Sequence, residues 1–309
     1  MKSGERMLTF IQQILNGLTI GSFYAFVALG YSLIYAILKL INFAHGDLFG
    51  LGAYVGYTVL VYAFGVIGGT LGLWGLLLVG FLAAALATAG AGLIIERVAY
   101  RPIYPIGRLP AVVSALGMAI FLSNFIMAIW GPRYLAYQES FIPTGFWQIG
   151  ELKIRVLQVL ILLSSLILLS VLYFLIEKTT FGAAVRAVAL DRETAALMGI
   201  DFLKVIRFAF AVGPALGAVA GVFVGMYYRQ INFTMGWVYG LKAFTATILG
   251  GIGNIPGAMV GGILLGILEA LTAGYISAAW KDVFVFAALM LMLIFRPTGL
   301  LGEKIAEKV

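Results

Sequence analysis

The chain has 309 residues, of which 62% are hydrophobic and 11% charged, with a mean hydropathy of +1.06. A soluble domain clothes itself with roughly 25% charged residues, so a soluble globular body is excluded and the outer surface must face lipid. The net charge of +7 lies mostly in short connections between apolar runs, with no aromatic-interleaved basic patch, which excludes a nucleic-acid binder; the absence of cysteine excludes disulfides and thiolate metal or redox sites.

The opening MKSGERMLTF has no small-residue cleavage site behind a compact apolar core, so the first apolar run is expected to stay as a membrane span. That run, about Met7 to Leu38, is too long for one straight crossing and is expected to cross from about Gly17. Further apolar segments fall at roughly 47–65, 71–95, 111–131, 156–176, 205–228, 237–253, 256–276 and 282–296. The 237–253 segment is short and glycine-interrupted, which suggests a half-span or re-entrant piece. The fold class is therefore all-α: a polytopic bundle of about eight or nine spans, in one transmembrane domain over residues 1–309.

Basic residues set the orientation. Lys39, the 97–110 loop (Arg97, Arg101, Arg108), the 177–207 loop (Lys178, Arg186, Arg192, Lys204, Arg207) and the tail (Arg296, Lys304, Lys308) are expected on the cytoplasmic side. The opposite loop, 132–155, is flanked or occupied by Trp130, Tyr134, Tyr137, Phe146 and Trp147, which suit an interfacial aromatic belt. Multi-pass residence in a bacterial or archaeal cytoplasmic (inner) membrane is the expected location.

Glycine is abundant, 39 residues, and Gly213, Gly217, Gly221 and Gly225 recur every fourth position in one span. Small residues at this spacing let helix backbones approach closely in lipid. An internal repeat is also present. Ile41-Asn42-Phe43-Ala44-His45-Gly46-Asp47 and the six residues after it resemble Ile231-Asn232-Phe233-Thr234-Met235-Gly236-Trp237 and its continuation, at a constant offset in which Lys39 matches Arg229. Under the orientation above the copies sit at opposite faces. That predicts an inverted repeat with broken or re-entrant helices, its halves about 8–131 and 156–296.

Polar residues inside spans are costly and therefore candidates for function. Asn42, His45 and Asp47 cluster after the first span, with Asn232 as the second copy's analogue; their options are bracing a broken backbone, capping a helix start or gating the pathway, and a structural role is favoured over substrate contact. His45 is the only histidine, so this chain holds no multi-histidine metal site. Lys242 and Glu269 are expected to form a mutual or inter-subunit structural pair, with recognition of a zwitterionic substrate as the competing reading. Gly250, Gly251 and Gly253, ahead of Pro256, break a helix and are candidates for lining a pathway. No serine–histidine or paired-carboxylate constellation supports catalysis.

The cytoplasmic connection 177–204 carries a short small-residue helix, with Asp191 placed to cap its start and Gly199 to end it left-handed. Glu193-x-Ala195-Ala196-x-x-Gly199 resembles the coupling loop of ABC importer permeases. The wider chain, through Asn16-Gly17-Leu18, Ile41-Asn42-Phe43-Ala44-His45-Gly46-Asp47, Arg186-Ala187, Lys242-Ala243-Phe244, Leu249-Gly250-Gly251-Ile252-Gly253-Asn254-Ile255-Pro256-Gly257-Ala258 and Arg296-Pro297-Thr298-Gly299-Leu300-Leu301-Gly302, resembles the permease subunits of high-affinity branched-chain amino-acid ABC transporters, in length the smaller of the two. The resemblance implies import of Leu, Ile or Val, a second homologous permease, two cytosolic ATPases and a periplasmic or lipid-anchored substrate-binding protein. It implies ATPase coupling by Arg186, Asp191, Arg192, Glu193, Ala195, Ala196 and Gly199. The chain has no phosphate-binding loop, so ATP and Mg are expected on the ATPases and no cofactor here. A relative carrying urea or short amides, a self-contained secondary transporter, and a membrane scaffold or enzyme are the competing readings.

Overall fold

The computed structural model describes residues 3–302 apart from Pro105 and Glu151; Lys304 and Lys308 of the predicted basic tail lie outside the described residues. The chain opens with α1 (Ser3–Leu38) and continues into α2 (His45–Ile95), which Gly72 (φ 61°, ψ 177°) breaks into two legs. A Cβ on Gly56 would touch that of Ala84, and one on Gly80 would touch Leu60, so the legs form an antiparallel hairpin rather than one long rod. A π-helical turn (Glu96–Tyr100) leads to α3 (Arg108–Trp130). An extramembrane loop follows, with strands β1 (Leu135–Ala136), β2 (Phe146–Ile149) and β3 (Leu152–Arg155). Then come α4 (Val156–Lys178), the short helices α5 (Thr180–Leu190) and α6 (Arg192–Leu197), and α7 (Phe202–Tyr228). Strand β4 (Gln230–Ile231), α8 (Met235–Gly250), α9 (Ile255–Tyr275) and α10 (Lys281–Phe295) complete the order. β2 pairs antiparallel with β3 and β1 with β4, so the two loops at that end of the bundle are stitched together.

Among the described residues, eight helical segments are long and apolar enough to cross a bilayer, the two legs of α2 counting separately as His45–Val66 and Thr70–Tyr100. The expected short piece is α8, at 16 residues about 24 Å long. α1 and α7 are buried along most of their length, whereas α10, α4 and α3 present Leu, Ile, Phe and Met side chains outward. A lipid-facing belt around a dry glycine-rich centre is what a bilayer-embedded bundle requires.

The repeat has a structural counterpart. Lys39 (φ 53°) and Arg229 (φ 59°) are the only non-glycine residues with positive φ among those described, and they occupy matching repeat positions after α1 and α7. In both copies the first helical N–H bonds the asparagine carbonyl: His45 to Asn42 at 3.0 Å and Met235 to Asn232 at 3.2 Å. The equivalent helices α1 and α7 run antiparallel, since Phe23 stacks edge-on with Tyr227 while Gly30 packs on Gly213. Equivalent helices in opposite directions make the duplication an inverted one.

The copies interlock at their glycines. A Cβ on Gly46 would run into the Gly236 carbonyl and lie 2.9 Å from the Gly240 Cα; one on Gly236 would lie 2.7 Å from the Asp47 Cα. Both obstacles are backbone, which cannot rotate away. Gly46→Ala is therefore expected to destabilise the fold by about 1–3 kcal/mol, read as a fall in unfolding temperature in detergent. Gly90→Ala, a helical position with nothing within 4 Å of the added atom, is the matched control and should be neutral or stabilising.

The aromatic-belt expectation needs correcting at one position, Tyr137. Tyr134, Phe146 and Trp147 are exposed at the rim as predicted. Tyr137 instead turns inward, its hydroxyl donating to the Ala53 carbonyl at 2.9 Å, and Trp130 Nε1 donates to the Thr58 hydroxyl at 2.7 Å. A ring with a polar tip is held inside when the tip finds a partner.

Candidate functional site

At the centre, the connection between α1 and α2 is organised by Asn42. Its side-chain oxygen accepts the Ala44 N–H at 3.1 Å and the Tyr100 hydroxyl at 2.8 Å. His45 Nε2 meets the Val27 carbonyl at 3.2 Å, and Asp47 Oδ1 accepts the Ser123 hydroxyl at 3.0 Å. All three side chains are buried. None lines an open passage in this conformation; each ties the start of α2 to a different helix. Asn232 in the second copy is half-exposed, its side-chain oxygen accepting the Thr234 hydroxyl at 3.4 Å. The bracing reading fits the first copy closely, because a helix that starts inside the bundle needs its backbone held without water.

Between α8, α9 and α10 lies a buried charge network. Lys242 Nζ is 3.0 Å from Glu269 Oε1 and 2.6 Å from Asp282 Oδ1, and Lys281 Nζ reaches the same Glu269 oxygen at 3.2 Å. The other Glu269 oxygen accepts the Tyr24 hydroxyl at 2.5 Å. Lys242 and Glu269 therefore pair as expected, but inside a five-residue cluster, and every strong valence of Glu269 is met within the chain.

The glycine break between α8 and α9 differs from its expected role as pathway lining. Gly251 (φ 112°) and Gly253 (φ 87°) turn the chain, and the orphan carbonyls at the end of α8 are occupied. Leu300 N–H bonds the Leu249 carbonyl and Leu301 N–H bonds that of Gly250, both at 2.9 Å. Asn254 Nδ2 donates to the Leu301 carbonyl at 2.9 Å and its side-chain oxygen accepts the Gly257 N–H at 2.7 Å, capping α9. The segment 296–302 is thus a strap over the break, and a Cβ on Gly251 would lie 2.5 Å from the Gly302 backbone nitrogen. Backbone dipoles satisfied by the strap do not face a passage.

The connection between α4 and α7 folds as two short helices. Asp191 caps α6, accepting the N–H groups of Glu193 at 2.9 Å and Thr194 at 3.3 Å and the Thr194 hydroxyl at 2.7 Å. Gly199 (φ 81°) closes it, with Ile200 N–H bonding the Ala195 carbonyl at 3.1 Å. Ala195 is buried against the bundle, while Glu193 and Ala196 are exposed. Leu197 and Met198 are 88% and 79% exposed, an apolar tip projecting from the bundle. Arg186 bonds the Ile176 carbonyl and pairs with Glu177 at 3.6 Å, fixing α5 to the end of α4. The Arg192 guanidinium lies over the Phe202 ring, 3.6 Å from its centroid, pinning α6 to α7.

Residues 13–293 match the family described as branched-chain amino acid transport system / permease component. The chain belongs to this permease family. It is 43% identical to the high-affinity branched-chain amino acid transport system permease protein LivH of Escherichia coli (strain K12), over 99% of both chains. It is 41% identical to the corresponding protein BraD of Pseudomonas aeruginosa, over 97% of this chain and 98% of that one. A probable branched-chain amino acid transport permease protein LivH of Methanocaldococcus jannaschii is 31% identical, over 96% and 90%.

In this permease, Tyr24, Tyr100, Ser123, Lys281 and Asp282 join the central cluster and the charge network without having been singled out from the sequence. Lys281-Asp282 had a usable signal: an adjacent opposite-charge pair at the head of the last apolar run, where an unpaired charge would be costly. The hydroxyls of Tyr24, Tyr100 and Ser123 had none, since a tyrosine or serine in a span is unremarkable until its partner is known.

Proposed function

We propose that this chain is one membrane-embedded subunit of an ABC importer, forming with a second homologous permease the path by which Leu, Ile and Val enter the cell across the cytoplasmic (inner) membrane. The carrying observation is similarity along the whole chain to permeases named for branched-chain amino acid transport. The basic ends agree with the direction. Lys39, Arg97, Arg101, Lys178, Arg186, Arg192, Lys204, Arg207 and Arg296 gather at the end that carries α5 and α6, which the positive-inside rule places in the cytosol.

In this reading the chain is a single permease domain with repeat halves of about 8–131 and 156–296. Two cytosolic ATPases bind and hydrolyse ATP with Mg, gripping the 177–204 connection through the tip of α6. A periplasmic or lipid-anchored binding protein delivers substrate at the opposite end. Arg192 fastens α6 to α7 through Phe202, and α7 packs through Gly213, Gly217 and Gly221 on Gly30 of α1 and on His45, Phe49 and Ala53 of α2. A displacement of α6 is thereby delivered to the contact between the repeats, which is what alternating access requires.

The test is reconstitution with the cognate ATPases, second permease and binding protein in liposomes. ATP-dependent accumulation of Leu, Ile and Val, with little for Ala or urea, is the expected result. Preferential uptake of urea or short amides would replace the substrate assignment. Uptake undiminished without nucleotide would replace the mechanism.

A further inference from the structure

At the end of the bundle that carries α5 and α6, three connections enclose a groove of about 310 Å3, one wall of which (Val188, Arg192 and Phe202) belongs to the 177–204 connection, while the opposite wall lies outside it. Lys39 follows α1, Tyr104 follows the second leg of α2, and Val188, Arg192 and Phe202 close it from the coupling side. Its lining holds two cations and no carboxylate. The nearby acids are engaged elsewhere: Asp191 caps α6, Asp201 caps α7 and pairs with Lys204, and Glu96 pairs with Arg101.

Three features mark the groove as a binding site rather than a packing gap. Lys39 is exposed on a left-handed backbone and makes no ion pair among the described residues. The Tyr104 hydroxyl is buried with no hydrogen-bond partner among the described residues, an uncommon condition for a donor that costs free energy unless a ligand meets it. The Tyr104 ring stands 6.5 Å from that of Phe202, on which the Arg192 guanidinium rests, so the Tyr104 side chain and a cation belong to one lining.

We propose that this groove seats the phosphate headgroup of an anionic phospholipid from the cytoplasmic leaflet, between Lys39 and Arg192 and in reach of the Tyr104 hydroxyl. The absence of any acid in the lining argues against a zwitterionic amino acid, whose ammonium would have no partner. Position argues for a lipid: the groove lies at the basic end, where α1 stops at Leu38 and α7 starts at Phe202, and the exposed Ile106, Leu109 and Leu190 beside it offer apolar surface for acyl chains. A seated lipid would link the α1–α2 connection, which carries Asn42, to the α5–α6 coupling helices. Its headgroup would therefore be a bound element of the transporter rather than bulk solvent.

The experiment is native mass spectrometry of the assembled transporter, ATPases included, exchanged into detergent with phosphatidylglycerol or phosphatidylcholine, with unfolding temperature measured alongside. The wild type is expected to retain phosphatidylglycerol over phosphatidylcholine. Loss of a charge-assisted contact should lower that retention about tenfold in Lys39→Glu, and loss of a neutral hydroxyl about threefold in Tyr104→Phe. Lys39→Arg should keep it, and lipid-free unfolding temperatures should match wild type, showing that the variants fold. Equal retention of both lipids, or undiminished phosphatidylglycerol on Lys39→Glu, overturns the proposal. So does stabilisation by inorganic phosphate equal to that by phosphatidylglycerol, which would make the groove a free-anion site. Phosphatidylglycerol expelled when the ATPases bind would give the groove to a protein partner and equally overturn it.

Discussion

Replacing both Leu197 and Met198 by aspartate is expected to reduce ATP-driven uptake to background while the permease stays in the membrane with an unchanged unfolding temperature. The two halves of that outcome have separate causes. Both side chains are almost fully exposed at the tip of α6, so the fold loses little packing, and exposed substitutions usually fall within about 0.5 kcal/mol of neutral. An ATPase cleft that receives this tip would lose its apolar contact and meet two desolvated carboxylates, a penalty of several kcal/mol for an interface. The measurements are ATP-dependent uptake, co-purification of the ATPases, and thermal unfolding of the permease. Uptake at the wild-type rate would mean that α6 is an ordinary amphipathic helix resting on the bilayer. Gly199 offers a graded companion: no atom lies within 4 Å of an added Cβ, so only its left-handed backbone resists change. Gly199→Asn should be milder than Gly199→Val, because asparagine tolerates that conformation.

How far the sequence could be read depended on whether the deciding physics was local. The Asp191 cap and the Gly199 terminus are local devices, spelled out within ten residues, and the structure places them as expected. The spans were legible because bilayer thickness sets a length and lipid sets a composition. The repeat was legible because Asn42 and Asn232, and the glycines after them, are unusual for spans. The matching left-handed backbones of Lys39 and Arg229 are the conformational reason those residues follow a helix end.

What stayed hidden depends on packing between distant segments. In a chain this apolar, hydropathy says that a helix is buried but not which face or against what. Asn42 meeting Tyr100, Asp47 meeting Ser123 and Tyr137 reaching Ala53 are contacts across 58 to 84 positions. The strap is the sharpest case: the proline and glycines of 296–302 read as a loop after the last span, yet its N–H groups finish α8. The glycines at 250–253 signalled a break correctly, whereas the partner that fills the break lies about fifty residues on.

Glu269→Gln is expected to destabilise the permease by about 3 kcal/mol, the lower end of the usual cost of breaking a buried ion pair. The side chains of Lys242 and Glu269 are 5% and 3% exposed, too dry for either to be left charged and alone. The cost falls short of the upper range because the network has spares. Without Glu269, Lys242 keeps Asp282 at 2.6 Å; without Lys242, Glu269 keeps Lys281 and Tyr24 while the half-exposed Asp282 can turn to solvent. Lys242→Met should therefore cost a similar amount. The Lys242→Met/Glu269→Gln double variant should recover part of the loss, with a coupling energy of about 1–3 kcal/mol in a double-mutant cycle. Unfolding in detergent measures all three. Transport supplies the arbitration between structure and substrate. If the cluster holds α8, α9 and α10 together, uptake per folded molecule stays near wild type in the double variant, since the substrate never needed either charge. If Lys242 or Glu269 receives the carboxylate or ammonium of the amino acid, the double variant folds but does not transport, and the affinity for substrate collapses in each single variant at full stability. With both Glu269 oxygens already engaged by Tyr24, Lys242 and Lys281, the first outcome is expected.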